Sequence, residues 1–496
     1  MKLFRSLIVV ILTISPLLLN AQNSQVRKLA LEDVLYTAKT NSLQALLAKH
    51  RFISSHWSHR SYKANYLPSV SLNADIVDLN RSIVKNEVFE NGEWIPKYAE
   101  TNRLNSSLAV QVMQYVPFTG GRIFVNSELG RLDLLNDDPA TLMSTPISVG
   151  FMQPLFSYNA FKWERMTEPL KYEEAKRTYL ESMEEVNLRA VQQFFDVALA
   201  QMNVATSEFN VANNDTLHRI AEGRFALGTI DQGDLMQMEL NYLNSTDNLI
   251  KNRLDLEVKR AKLRSFLGYN DNVEFELITS KDVPDFKVDV SEAMDLARQN
   301  NPQLLSMERQ IIEADQSVAQ AKAEARFNAD LFASYGLTQQ ANDFVGAFTN
   351  PRESQRINVG VSVPILDWGM RKGKVRMAES SKDVIELSVQ QQKIEFDQGV
   401  YLDVMQFNLQ SDQLKLAAKK DTLSHTRYDI TKQKFLIGKV DVLKLNDALS
   451  AKDAAIVNYF QALRTYWNYY YNVRKTALFD FEKNHALEQD YDELLK

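Results

Sequence analysis

The chain has 496 residues, 45% of them hydrophobic and 24% charged, which describes a folded protein and excludes a disordered one. It contains no cysteine, so disulfides, thiolate metal sites and a lipid-modified N-terminal cysteine are excluded. The net charge of −6 gives no support to nucleic-acid binding.

Residues 1–21 read as a secretory signal. Lys2 and Arg5 form its basic end, Leu7 to Leu19 its apolar core, and Leu19-Asn20-Ala21 an approximate cleavage site. Loss of the two cations takes the expected net charge from −6 to −8 in a mature chain starting near Gln22. No run of about 18 apolar residues follows, so no membrane helix is expected. Such an exported chain is either soluble or crosses a membrane as β-strands.

A helix is predicted over Leu31 to Tyr66. Val70, Leu72, Ala74 and Ile76 then alternate with Ser71, Asn73 and Asp75, the period of a strand. The polar stretch Asn80 to Arg103 reads as an outward loop. Leu104 to Val116 and Gly121 to Gly130 read as a hairpin around Phe118-Thr119-Gly120-Gly121. A strand over Ile147 onward ends at Pro154, and a long helix is predicted over Phe161 to Glu222. Its residues Val191, Phe195, Ala198, Met202, Ala205, Phe209 and Ala212 follow the spacing of a coiled-coil seam. A glycine-containing turn leads into a returning helix over Leu235 to Leu267.

The same order then recurs. A helix is predicted over Val290 to Phe327. In the next strand Ala329, Leu331, Ala333, Tyr335 and Leu337 alternate with polar residues, Phe332 being the exception. After the polar stretch Gln339 to Arg356, Ile357, Val359, Val361 and Val363 form a further strand ended by Pro364. Long helices are predicted over Met370 to Lys432 and Leu445 to Leu478. In the second rod Val400, Val404, Phe407, Leu414 and Ala418 keep the seam while Ser411 interrupts it.

The recurrence is a duplication. ISVGFMQPLFSYN (Ile147 to Asn159) returns as INVGVSVPILDWG (Ile357 to Gly369), and FALGTIDQGDL (Phe225 to Leu235) returns as FLIGKVDVLKL (Phe435 to Leu445), both offset by 210 residues. Asn41, Gln44, Leu46 and Ala64 recur as Asn300, Gln303, Leu305 and Ala323, offset by 259, so the first half carries 49 extra residues around the additional hairpin at 104–130. The expected organisation is a first repeat over 22–286, with its helical hairpin at 161–267, a second over 287–480, with its hairpin at 370–478, and a tail at 481–496. At 1.5 Å per residue each long helix is a rod of roughly 90 Å. The narrow seams need neighbours on both sides, which predicts oligomerisation. Ten-residue strands with an apolar and a small polar face suit an outer membrane; an ordinary half-buried sheet has the same period.

In the order of these segments, twice over, the chain resembles the TolC-like outer-membrane efflux proteins. The segments are the strand-ending QPLF and VPIL and the F-x-x-G-x-x-D turns. The resemblance implies a mainly α fold with β: long antiparallel helical hairpins forming a trimeric α-barrel, continuous with a transmembrane β-barrel shared between subunits. It implies a homotrimer in the outer membrane of a Gram-negative bacterium, extending into the periplasm as a tunnel. It would work as the channel of a tripartite efflux or export system, passively conducting substrates delivered by an inner-membrane pump and a periplasmic adaptor (membrane fusion protein). The family's usual contribution is four strands per subunit and six are readable here, the extra pair either enlarging the barrel or folding over its mouth. A periplasmic coiled-coil adaptor or structural protein without a pore is the alternative.

The resemblance places the turns at the periplasmic tip. It makes Arg224, Phe225, Gly228, Lys434, Phe435 and Gly438 candidates for adaptor docking, unless they only form hairpin turns. Asp231, Asp234 and Asp441 follow the turns; Asp441 matches the first of two constricting aspartates in the family, and Lys444 stands where the second would be. These four are gate or ion-selectivity candidates, since a carboxylate ring at a constriction attracts cations. Asp231 and Asp234 are equally candidate helix caps. Tyr158 and Trp368 are candidates for the membrane–water interface with outer-membrane lipid. His56 and His59 lack an obvious third ligand, so no metal is expected. GMRKGKVR (Gly369 to Arg376) lacks the spacing of a phosphate loop, and TYWNYYYN (Thr465 to Asn472) reads as helix-packing surface. No catalytic constellation emerges, so neither enzyme activity nor a cofactor is expected.

Overall fold

The computed structural model describes residues 27–90, 92–135, 140–269, 273–280 and 283–496; the signal read at 1–21 lies outside them. In chain order the elements are β1 (Arg27–Leu29), α1 (Leu31–Asn41), α2 (Leu43–Ala64), β2 (Ser69–Glu90), β3 (Glu93–Val116), β4 (Gly121–Leu134) and β5 (Thr141–Leu155). They continue as α3 (Ala160–Ala226), α4 (Gln232–Leu267), β6 (Phe275–Leu277), α5 (Val290–Asn300), α6 (Pro302–Glu324), β7 (Asn328–Ala341) and β8 (Arg352–Ser362). The chain closes with α7 (Met370–Leu436), α8 (Val442–Ala477), β9 (Phe479–Asp480), β10 (His485–Ala486) and α9 (Tyr491–Leu494). Helices α3 and α7 each have 67 residues, and α4 and α8 each have 36. The constant offset of the sequence repeat therefore extends to whole elements.

The predicted helices at Leu31 to Tyr66 and Val290 to Phe327 are each broken in two, at buried Ser42 and buried Asn301. Asn301 shows why. Its extended backbone ends α5, and its Oδ1 accepts from the Gln303 amide at 2.9 Å to cap α6, whose first residue is Pro302. Its Nδ2 donates to the Thr476 carbonyl at 2.9 Å, and Asn300 Nδ2 donates to that of Ala477 at 3.1 Å. Those carbonyls lie at the end of α8, where no intrahelical partner exists.

The chain divides into two compact units, and the long helices cross the division. The first holds the described residues up to Leu43, with Arg189–Val283 and Ala417–Arg464. Here β1 and β6 pair in parallel, and Val191, Phe195 and Ala198 of α3 are buried as the seam predicts. Farther along the seam fails: Phe209 is 49% exposed, and burial shifts to Ser207, Asn213, Asn214, Leu217 and Ala221. An α-helix of 3.6 residues per turn drifts about 20° per heptad from a 3.5-residue stripe, so an unsupercoiled contact moves across the surface. Phe209 instead lies under the Lys452 ammonium at 4.4 Å. Polar residues fill the shifted contact. Asn210 Nδ2 donates to Asp453 Oδ2 at 2.6 Å, Asn241 Nδ2 to Asn446 Oδ1 at 3.0 Å, and Asn252 Nδ2 to Ser207 Oγ at 2.7 Å, around a cleft of about 390 Å³.

The second unit holds Gln44–Leu188, Pro284–Leu416 and Thr465–Lys496. Phe52 and Tyr179 form a small core to which Tyr491 of the C-terminal segment adds its ring, 5.0 Å from that of Phe52. Arg474 is largely enclosed between two buried carboxylates, donating to Glu184 at 3.2 Å and Asp480 at 2.5 Å. Burial alone would lower its proton affinity. Glu184, Tyr470 and Asp480 outweigh that and raise it above the ordinary guanidinium range. Ser411, the break in the second seam, is buried and donates to Asp285 Oδ1 at 2.5 Å. In the aromatic run, Tyr466 and Tyr470 are buried as packing residues.

The same unit carries the largest sheet among the described residues, six strands in the order β2-β3-β4-β5-β7-β8, every neighbouring pair antiparallel. One expected loop is strand instead, and a second is strand at its two ends. Asn80 to Arg103 continues the β2–β3 ladder out to Glu90↔Glu93, with Gly92 at φ 89° in the turn. The Asn91-Gly92 dipeptide, which favours two-residue hairpin loops, is the sequence signal for it. Phe89 and Trp94 pair across the ladder with rings 5.3 Å apart. Gln339 to Arg356 begins with the end of β7 and finishes with the start of β8, and the connection between them, 342–351, keeps its loop character around a short 3-10 helix at Gly346–Phe348. Its buried Ala347 accepts from the Ser144 hydroxyl.

Candidate functional site

The sheet has two unlike faces. One ladder row joins Val70, Val112, Val125, Val149 and Tyr335 and ends on Gln355; the next, on the opposite face, joins Ser71, Gln111, Asn126, Ser148, Gly336 and Ser354. The apolar face is uncovered within the chain, with Ile357 78% exposed. Irregularities at Asp75/Asp78, Asn126/Glu128 and Ser144/Ile147 interrupt the ladder, the device by which sheets are curved. The extra hairpin supplies β3 and β4, which lie inside the sheet between β2 and β5. Strands β2 and β8 are its edges, each with one side unpaired in the ladder.

The interface candidates sit at strand–helix junctions of this unit but differ. Tyr158 is half-buried and its hydroxyl accepts from Gln316 Nε2 at 2.7 Å, whereas Trp368 is 90% exposed on a backbone with φ 54°. His56 and His59 are taken up by packing. His56 Nδ1 is 3.1 Å from the Tyr172 hydroxyl, and His59 stacks on the Tyr172 ring at 4.4 Å. Among the described residues no cluster of potential metal ligands occurs, and no helix is long and apolar enough to cross a membrane.

In the first unit the two hairpin turns are built alike. The amides of Gly228 and Thr229 donate to the carbonyls of Phe225 and Arg224, both at 2.9 Å. Gly438 and Lys439 do the same to Phe435 and Lys434, again at 2.9 Å. This double bond closes a helix end through a residue in the left-handed region, which Gly228 (φ 69°) and Gly438 (φ 74°) occupy without a Cβ penalty. The turns also touch each other. Arg224 Nη2 donates to the carbonyls of Phe435 at 3.2 Å and Leu436 at 2.8 Å, and its guanidinium lies 5.2 Å from the Phe435 ring. Phe435 is buried in a cluster with Leu217, Met238, Tyr428 and Leu445.

Phe225 is not its counterpart: it stands 43% exposed. With Leu227, Ile437 and Leu443, all exposed, it gives the turns an apolar surface that the duplicated motif alone does not reveal. The aspartates begin the returning helices. Asp231 Oδ1 accepts from the Asp234 amide at 2.8 Å, and Asp441 Oδ1 from the Lys444 amide at 2.9 Å. Asp441 therefore meets Lys444 through its backbone. Asp234 sits in the first turn of α4, where the helix dipole favours a carboxylate.

Residues 293–475 match the family described as Outer membrane efflux protein, and no curated protein sequence matches the chain. Among solved structures, the Campylobacter jejuni CmeC outer membrane channel aligns with TM-score 0.66 at 15% identity, over 93% of this chain and 88% of that one. The outer membrane protein VceC of Vibrio cholerae aligns with TM-score 0.62 at 12% identity, over 92% and 97%. The open-state MtrE outer membrane channel of Neisseria gonorrhoeae aligns with TM-score 0.61 at 11% identity, over 92% and 91%. At these identities the structures speak for the fold, and the family match falls on the second repeat. Together they give the second repeat a match to the outer membrane efflux protein family and the chain as a whole the fold of these outer membrane channels.

Proposed function

We propose that the chain is an outer membrane efflux channel, a homotrimer whose three sheets close into one barrel, β8 of each copy pairing with β2 of the next. Three copies of six strands give eighteen. Barrels of about 16–18 strands leave an aqueous channel. The observation that carries this reading is the sheet with one apolar face, one polar face, two unpaired edges and bulges in its ladder. Lipid accepts the first, water the second, and no lipid-exposed edge is tolerated. Closure on copies of itself satisfies all three conditions.

In this reading the chain serves a tripartite export system, conducting passively what an inner-membrane pump and a periplasmic adaptor deliver. The adaptor's helices dock on the turns, at Arg224, Phe225, Gly228, Lys434, Phe435 and Gly438, with the exposed Leu227 and Ile437 adding apolar contact. Asp231, Asp234, Asp441 and Lys444 form the charged rings of the gate. Tyr158 and Trp368 mark the lipid boundary. Detergent extraction, crosslinking and planar-bilayer recording test the proposal: a three-subunit ladder and discrete conductance steps are expected. A stable monomer in plain buffer that opens no pore overturns it and favours the poreless coiled-coil alternative.

A further inference from the structure

The polar face of the sheet carries one patch of different chemistry. Phe124 on β4 and Phe332 on β7 are separated by β5, yet their rings stack with centroids 5.8 Å apart and planes 21° from parallel. They meet over Gly150 of β5. A Cβ there would come within 2.5 Å of the Phe124 ring and 2.7 Å of the Ala333 carbonyl. The ladder places Phe124, Gly150, Ser334 and Arg356 in one row, and Arg122, Met152, Phe332 and Asn358 in the next row on the same face. The Arg356 guanidinium lies 5.6 Å from the Phe332 ring, and Arg122 Nη2 donates to Met152 Sδ at 3.2 Å. Among the described residues neither arginine makes an ion pair.

Aromatic rings on a water-facing strand position gain nothing from lipid, and two guanidiniums without carboxylates keep their charge available to a solute. A ring alone covering a glycine would stabilise the sheet with no arginine beside it. We infer that Phe124, Phe332 and Met152, with Arg122 and Arg356, form a transit site on the duct wall for amphipathic anions bearing an aromatic ring. The guanidiniums take the anionic group, and the phenylalanine pair and the methionine take the ring. This rests on the proposal that the polar face lines the lumen.

The test records the full-length trimer in planar bilayers, with 1-naphthalenesulfonate or 1-naphthylmethylammonium added on the side of the β-barrel. The sulfonate should block wild-type current at lower concentration than the ammonium. In Arg122→Gln/Arg356→Gln and in Phe332→Ala, basal conductance should persist and sulfonate block should weaken about tenfold. Phe332→Leu, which keeps apolar volume in the strand, serves should the alanine variant not assemble, with a smaller loss of block in the same direction. Conducting variants that block like wild type, or a wild type that does not prefer the sulfonate, overturn the site and leave the duct standing. A wild type without conductance overturns the duct and the site together.

Discussion

At the scale of single residues, the aspartates after the turns answer two demands at once. Asp441 caps α8 by accepting from the Lys444 amide at 2.9 Å, and the gate reading needs its charge. Replacement by alanine removes both, since losing a cap costs about 1 kcal/mol and frays the helix start. Asp441→Asn separates them, because the amide oxygen still caps while the charge is gone. Single-channel recording of Asp441→Asn should show raised closed-state leak or weaker cation preference with an unchanged melting temperature; wild-type leak and selectivity would confine Asp441 to capping. Arg474 poses the opposite case, a charge with a structural role alone. Arg474→Gln leaves Glu184 and Asp480 buried without their cation, and removing one member of such a cluster costs about 3–5 kcal/mol. Calorimetry should show a clear fall in melting temperature, with conductance of the surviving trimer unchanged. A wild-type melting curve would mean the two carboxylates are satisfied another way.

Among the elements, what periodicity could express was legible, and what depended on a partner element was not. The rods, the returning helices and the strands around Ile147 and Ile357 follow from repeating apolar spacing. Phe332, read as the exception to its strand, is the residue that stacks on Phe124, a contact made across β5 and invisible to any local pattern. The break at Asn301 escaped because carbonyls elsewhere, at Thr476 and Ala477, set the need for it. The turns were read from Phe, Gly and Asp, yet the contact between them rests on Arg224 reaching the Phe435 and Leu436 carbonyls 211 and 212 residues away. Polar composition hid the outer part of the β2–β3 hairpin, whose residues beyond the bond from the Leu135 amide to the Asn102 carbonyl pair, among the described residues, only with each other. A two-stranded ribbon with no third strand adds little independent stability. Deleting residues 85–98 and closing with Asn-Gly should therefore leave trimer yield, heat resistance and conductance near wild type. Loss of the trimer on gel electrophoresis would give that ribbon a role in assembly.

For the whole molecule, the duplication sets the limits of change. The first half differs from the second by a strand pair inside the sheet, while the helical hairpins agree to the residue, 67 with 67 and 36 with 36. Strands added between β2 and β5 lengthen a sheet without disturbing the pairing of the others. A codon added to a packed helix turns every later side chain by about 100° and moves it out of its contact. The sheet is thus free to be resized by inserting whole hairpins. The rods are not, and a deletion tolerated in one would have to be mirrored at the matching codon of the other, so that the two halves of the gene inherit their lengths jointly even as their residues diverge.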